Sequence, residues 1–219
     1  ATFQQYAWVA NFQAVRGVNR VWPMAYYSST SEGQAYGTMS HLGPGNPLWP
    51  HWRAFSSYLA RLGVVISHTG HACDLAVYYP IEAEWAYRGR DEAAQAWESF
   101  RSCCECLHEV QMPFDVLDNA TLAASSAGEG FLETNGQFYS TVLVPNCTVI
   151  PVAVAEKLRE LHETGGRVVF LGEPPHIATV AGEQAQLEEA LSALVGQAFC
   201  LDERSEREQW GTASGRASE

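Results

Sequence analysis

The chain predicts an α/β fold: a doubly wound parallel sheet in its larger C-terminal part, behind a separate aromatic-rich N-terminal part. Three observations predict it. The apolar runs Leu75-Ala76-Val77-Tyr78-Tyr79, Thr141-Val142-Leu143-Val144 and Val168-Val169-Phe170-Leu171 lack alternation, as strands buried on both faces do. Segments of helical periodicity separate these runs, so right-handed βαβ crossovers can join them. Charge also divides the chain. Of its 25 acidic residues only Glu32 precedes Asp74, while Trp8, Trp22, Trp49 and Trp52 crowd into the first quarter. The boundary falls near residues 68–74.

The elements follow in order. Phe3, Tyr6, Val9 and Phe12 recur at helical spacing, so residues 2–15 predict a helix, with Gly17 as its stop. Val18 to Ala25 predicts a short buried strand that Pro23 interrupts. Residues 28–46 form a polar loop, and Pro47 suits the first turn of a helix reaching about residue 66. Trp49, Phe55, Leu59 and Leu62 are among its apolar positions. The second part alternates strand 74–80, helix 91–111 and strand 114–117, then a polar stretch 119–138 with room for a small hairpin. Strand 140–144 follows, then a helix at 151–164 bounded by Pro151 and Gly165-Gly166. Strand 167–171, helix 183–196 and strand 198–201 complete the pattern. On the helix at 91–111, Ala94, Trp97, Phe100, Cys104, Leu107 and Val110 make an apolar stripe for packing on the sheet. The tail from Glu203 is charged and rich in Ser and Gly, a disordered composition.

Composition bounds the function. The 219 residues are 47% hydrophobic and 17% charged, a folded composition. A net charge of −12 repels nucleic-acid phosphates and anionic lipid, so neither is an expected partner. No run approaches the ~20 apolar residues of a membrane helix. No signal peptide or initiator Met opens the chain, and Ala1 stands inside a helical pattern, so the N-terminus reads as cut. Of the six cysteines, Cys103, Cys104 and Cys106 share one predicted helix, where adjacent Cys103 and Cys104 point to different faces and do not pair. A fourth zinc ligand at sensible spacing is missing. Free thiols are expected, and with them a reducing, cytoplasmic compartment. Asn119-Ala-Thr121 and Asn146-Cys-Thr148 match the glycosylation pattern by chance.

The first quarter carries the residue types of a sugar site. Aromatic faces stack on pyranose C–H faces, and short polar groups fix hydroxyls. Asn19, Arg20, Trp22, Tyr26 and Tyr27 lie at or past a predicted strand end, where the active-site loops of a barrel begin. His41, Asn46, Trp49, His51 and Trp52 follow. Any one of these aromatics could equally be core filler. Glycoside hydrolysis needs two carboxylates, and Glu32 alone cannot fill both roles, so no catalytic residue is assigned within the chain.

Arg16-Gly17-Val18-Asn19, then Trp22-Pro23-Met24-Ala25-Tyr26-Tyr27-Ser28, then Gly43-Pro44-Gly45-Asn46-Pro47-Leu48-Trp49-Pro50-His51-Trp52 resemble the end of the catalytic barrel in α-L-rhamnosidase-type glycoside hydrolases. Asp74-Leu75-Ala76-Val77-Tyr78-Tyr79-Pro80 resembles the passage from that barrel to an α/β domain similar to the β-galactosidase trimerisation domain. The likeness continues through Val142-Leu143-Val144-Pro145 and Gly165-Gly166-Arg167-Val168-Val169-Phe170-Leu171-Gly172, and covers residues 3–175. Met24 departs from it, standing where the resemblance implies His. The resemblance implies a last strand–helix portion of a (β/α)8 barrel, placed at residues 1–67, followed by a flavodoxin-like domain, placed at 68–202, while composition makes 203–219 a disordered tail. It also implies a catalytic acid upstream of Ala1, and the rest of such a glycosidase, carbohydrate and a second copy of the chain as partners.

Two other readings stay open. One is a non-catalytic α/β module, structural or carbohydrate-binding. The other is a Cys-dependent amidotransferase-like enzyme with Cys147 as nucleophile and His162 or His176 as its partner, which requires Cys147 in a strained turn. The predicted strand ends carry no Gly-x-Gly-x-x-Gly or Walker pattern, so no nucleotide, flavin or other cofactor is expected.

Overall fold

A computed structural model describes residues 2–22, 43, 46–195 and 199–201, which fall into two units, Ala1–His71 and Ala72–Glu219. In the first unit, helix α1 (Phe3–Ala14) begins at a capping box. Thr2 Oγ1 accepts from the Gln5 amide at 3.3 Å, and Gln5 Oε1 accepts from the Thr2 amide at 2.7 Å, so two orphan N–H groups find partners. A 3-10 turn (Trp49–His51) leads into α2 (Trp52–Ser67). Phe3 and Tyr6 meet Trp52 and Phe55 with ring centroids 5.6 to 6.3 Å apart, and the Tyr58 hydroxyl donates to Asn11 Oδ1.

The expected helix forms as α1, but the expected strand does not. Val9 and Phe12 are each 45% exposed, Phe12 stacking on Trp8 of the same helix at 5.4 Å. The buried line of α1 runs through Phe3, Tyr6 and Ala10, and at 100° per residue positions 9 and 12 lie roughly 90° and 150° away from it. Residues 18–22 of the expected strand Val18–Ala25 pair with nothing in a ladder, and 23–25 lie outside the described residues. A strand needs a neighbour for its amides, and no other strand occurs among the described residues of this unit.

The second unit is built on a five-stranded sheet. Its strands are β1 (Leu75–Tyr78), β2 (Asp115–Leu117), β6 (Thr141–Val144), β8 (Arg167–Leu171) and β10 (Phe199–Leu201), and every pairing is parallel. The spatial order is β2-β1-β6-β8-β10. Both faces are covered, which explains the missing alternation. Ala76, Tyr78, Val142, Val144, Val168 and Phe170 point into one core with α5 (Asn119–Ala124), α6 (Val152–Glu163) and α7 (Gln184–Val195). Leu75, Val77 and Leu171 point into the other, against Cys103 and Leu107 of α4 (Asp91–Glu109).

The stripe on α4 is shifted from the expected one. Ala93, Ala96, Cys103 and Leu107 are buried, whereas Ala94, Trp97 and Val110 are exposed. Short helix α3 (Ile81–Ala86), absent from the expected pattern, packs on α4, and the small side chains of Ala83 and Ala96 permit that approach. The polar stretch 119–138 holds α5 and most of an antiparallel sheet, β3 (Ser126–Gly128), β4 (Phe131–Thr134) and β5 (Gln137–Tyr139). Its two-residue turns, Glu129-Gly130 and Asn135-Gly136, have positive φ at both positions, the geometry that matches strand twist in a hairpin. A parallel pair, β7 (Val149–Ile150) with β9 (Ile177–Ala178), was not legible from periodicity.

Candidate functional site

Asn46 organises the turn before α2. Its Oδ1 accepts from the Leu48 amide at 2.8 Å and its carbonyl accepts from the Trp49 amide at 2.9 Å. The Asx geometry sets Pro47 at the turn, so Asn46 serves the backbone here. Trp49, His51 and Trp52 therefore share one tight segment. Trp49 and His51 are exposed, but Trp52 is half-buried, its ring edge-on to Tyr6 at 6.3 Å and to Phe55 at 5.4 Å. Trp52 thus joins the packing between α1 and α2, whereas Trp49 and His51 are exposed.

Asn19, Arg20 and Trp22 are all exposed, Trp22 at 79%. Asn19 passes beside the far part of α2, because a Cβ on Gly63 would sit 3.1 Å from the Asn19 carbonyl oxygen. Gly63 lies 11 positions after Trp52, roughly 16 Å along a helix axis. Asn19 and Trp52 are therefore not brought together. Tyr26, Tyr27, His41 and Glu32 lie outside the described residues. The described residues of the first unit contain no Asp or Glu, so they can line a sugar but cannot supply the acid and base of hydrolysis.

In the second unit the polar groups at the C-terminal ends of the strands are largely engaged with one another. The buried Tyr78 hydroxyl donates to Asn119 Oδ1 at 2.7 Å, and Asn119 Nδ2 donates to Glu82 Oε1 at 3.0 Å. Burial, then the neighbouring Cys147 and Glu82, raise the Tyr78 phenol above its ordinary range. Asp118 caps α5 through the Thr121 amide at 2.8 Å. Gly172, at φ 94°, packs against the Asn146 side chain, and the Asn146 amide donates to Ser99 Oγ at 2.9 Å. Such an edge is stitched shut rather than open to a phosphate.

Cys147 does not have the setting of a nucleophile. It is buried, its φ is not positive, and burial pushes its thiol up to about 12. A thiol with that pKa stays protonated at neutral pH, whereas catalysis needs the thiolate. At the opposite end of the sheet, Cys73 Sγ donates to Asp115 Oδ2 at 3.1 Å and the Tyr139 hydroxyl donates to the same oxygen at 2.9 Å. Burial and then the Asp115 hydrogen bond push the Cys73 thiol up to about 12. Cys73, Cys103, Cys104, Cys106 and Cys147 form no disulfide. Among the described residues no helix is long and apolar enough to cross a membrane.

One feature escaped the sequence reading. Trp97, assigned to the core stripe, is 49% exposed and borders a cavity of about 550 Å³ with Tyr79, Glu84, Arg90 and Asp91. The signal that could have found it is the small pair Ala93-Ala94 just before an unneeded second aromatic on α4.

No family model matches the chain, and no curated protein matches it. Among solved structures, the rhamnosidase from Novosphingobium sp. PP1Y aligns over 91% of this chain with a TM-score of 0.57 and 16% identity. The chain spans 20% of that protein. A β-galactosidase from Bifidobacterium adolescentis aligns over 60% of this chain and 56% of its own, with a TM-score of 0.40 and 21% identity. The chain is thus similar in fold to part of a glycoside hydrolase, with an α/β architecture built on a parallel sheet.

Proposed function

We propose that the chain is part of a glycoside hydrolase, with residues 1–67 completing a catalytic barrel and the α/β unit serving as a structural and oligomerisation domain. On this reading Asn19, Arg20, Trp22, Tyr26, Tyr27, His41, Asn46, Trp49 and His51 furnish the wall of a sugar site, and Trp52 braces it. The catalytic carboxylates come from elsewhere in the enzyme, and α-L-rhamnosides are the first substrates to try. The strand order β2-β1-β6-β8-β10 supports a flavodoxin-like second domain, since renumbered it is the 2-1-3-4-5 winding. The observation that carries the proposal is the apolar surface of the first unit. Trp8, Val15, Trp22, Val64 and Val65 are each exposed by 59% to 79%, and residues 18–22 have no ladder partner among the described residues. On this reading another segment of the enzyme covers these side chains.

The test compares the chain alone with the chain preceded by the residues encoded immediately upstream of Ala1, on a panel of chromogenic glycosides led by p-nitrophenyl α-L-rhamnoside. Turnover by the longer protein only is the expected result. Turnover by the chain alone that disappears on Glu32→Gln would overturn the proposal, and so would silence from both proteins across the panel.

A further inference from the structure

We propose that the α/β unit carries a second, non-catalytic carbohydrate site for a neutral pyranose, in the hollow between α3 and the first turns of α4. Its chemical class rests on the glycosidase reading above, but its position rests on the geometry alone. The hollow measures about 550 Å³ and is open to solvent, inside the range of roughly 300–1,000 Å³ typical of small-ligand sites. Two aromatic side chains border it. Tyr79 lies 5.2 Å from the Phe100 ring and Trp97 lies 5.8 Å from the same ring, so Phe100 braces both from behind. Trp97 keeps nearly half its surface open although Ala93 and Ala96 of the same helix are buried. Ala93 and Ala94 add no bulk, which leaves the space beside the indole vacant.

The polar lining suits hydroxyls. Glu84 on α3 and Asp91 at the start of α4 offer carboxylate acceptors, and Arg90 offers guanidinium donors. Two acids against one arginine, on a chain of net charge −12, disfavour an anionic ligand such as a phosphate. An apolar cation would leave Arg90 without a partner. A neutral polyol with C–H faces satisfies the aromatic rings and the mixed donors and acceptors together. The position also fits. Tyr79 follows β1 directly, so the hollow is anchored to the carboxyl end of that one strand.

The test is a titration of the isotope-labelled full chain with methyl α-L-rhamnopyranoside and methyl β-D-galactopyranoside, glycerol serving as control, read by amide and indole NMR shifts. Saturable shifts are expected at Tyr79, Glu84, Ala94 and the Trp97 indole, with a Kd on the order of 1–10 mM for at least one glycoside. Trp97→Ala is expected to weaken binding at least 10-fold and Glu84→Gln several-fold, with the remaining amide spectrum unchanged; the first truncates an exposed ring and the second is isosteric, so both should fold. Shifts that never saturate, that glycerol reproduces, or that survive Trp97→Ala would overturn the site. Shifts at Trp49 and His51 alone would overturn it and leave the proposed function standing. Saturable binding at Trp97 beside a failed glycosidase assay would do the reverse.

Discussion

Gly166→Ala should destabilise the α/β unit by about 3 kcal/mol, although a glycine-to-alanine change in a permissive site stabilises by about 0.4–1 kcal/mol through the unfolded chain. The two glycines after α6 have different reasons for being there. Gly165 has φ 100°, the left-handed conformation that ends a helix, and a Cβ there would meet nothing. Gly166 has ordinary φ but no room: a Cβ would lie 2.6 Å from Leu161 Cγ and 2.9 Å from the Gly130 carbonyl oxygen. Leu161 is fully buried and cannot swing aside cheaply, and Gly130 is backbone in the β3–β4 turn. Steric cost therefore exceeds the entropic gain. Leu161→Ala alone should cost about 3 kcal/mol by opening a cavity. In the double variant the new methyl enters that cavity, so the total should fall short of the sum by about 1–2 kcal/mol, the residue being the Gly130 contact. Urea denaturation reads this directly. With m near 2 kcal/mol/M, the single Gly166 variant should lose about 1.5 M in midpoint. An unchanged midpoint, or strict additivity in the double variant, would refute the close-approach account.

Asp118→Ala should lower stability by about 1 kcal/mol, because Asp118 caps α5. The hydrogen bond from Thr121 holds the Asp118 carboxyl below its ordinary 3.8, so that contribution is complete above pH 3.8 and drains away as pH falls below it; the variant should lack this acid-limb slope in a denaturation series. Cys147 should resist iodoacetamide in the native chain at pH 8, since raising a thiol from 9.0 to about 12 cuts its thiolate fraction from about one in ten to about one in ten thousand; mass mapping after brief labelling would expose the error if Cys147 labelled as fast as an open thiol. The same raised pKa means Cys147 favours the fold below pH 9 and that this support is lost as pH climbs from 9 towards 12, a slope Cys147→Ala should remove. Replacing Val64 and Val65 together with Ser should reduce apolar-dye binding without lowering the urea midpoint, because both side chains already face water; a large loss of stability would show that they are covered.

The parallel strands of the α/β unit were legible because burial on both faces writes itself into unbroken apolar runs, and α6 because Pro151 and Gly165 bracket it. The two hairpin turns carry glycines that marked a turn but did not reveal that α5 would precede them. α5 is six residues long, too short for periodicity to show. The phase of the α4 stripe was lost for a related reason. Alanines at 93 and 96 do the burying, while larger Trp97 dominates any reading by hydrophobic weight. In the candidate site, chemistry was legible but engagement was not. Nothing in the residue types distinguishes Trp49, which is 37% exposed, from Trp52, which is half-buried on Tyr6 and Phe55, since both suit either role. Their fates depend on which face of α2 meets α1, a tertiary fact.

The two units differ in how far each satisfies its own sequence. The α/β unit buries Tyr78, Phe170, Leu158, Leu161, Leu187 and Leu194 almost completely, and its strands carry apolar cover on both faces. The first unit buries Ala10 and Phe55 and leaves Trp8, Trp22, Val64 and Val65 in water. The last part of α2, Leu59 to Ile66, is apolar nearly all round, with Arg61 its one charge. A helix apolar on every side belongs inside a larger core, and a pair of helices of 12 and 16 residues gains too little by itself to be content with less. Selection for a free-standing two-helix module would have replaced Val64 and Val65, whose exchange for polar residues costs such a module nothing. Their presence is intelligible if α2 normally lies between α1 and further strands. The barrel proposed above would supply that cover for α2.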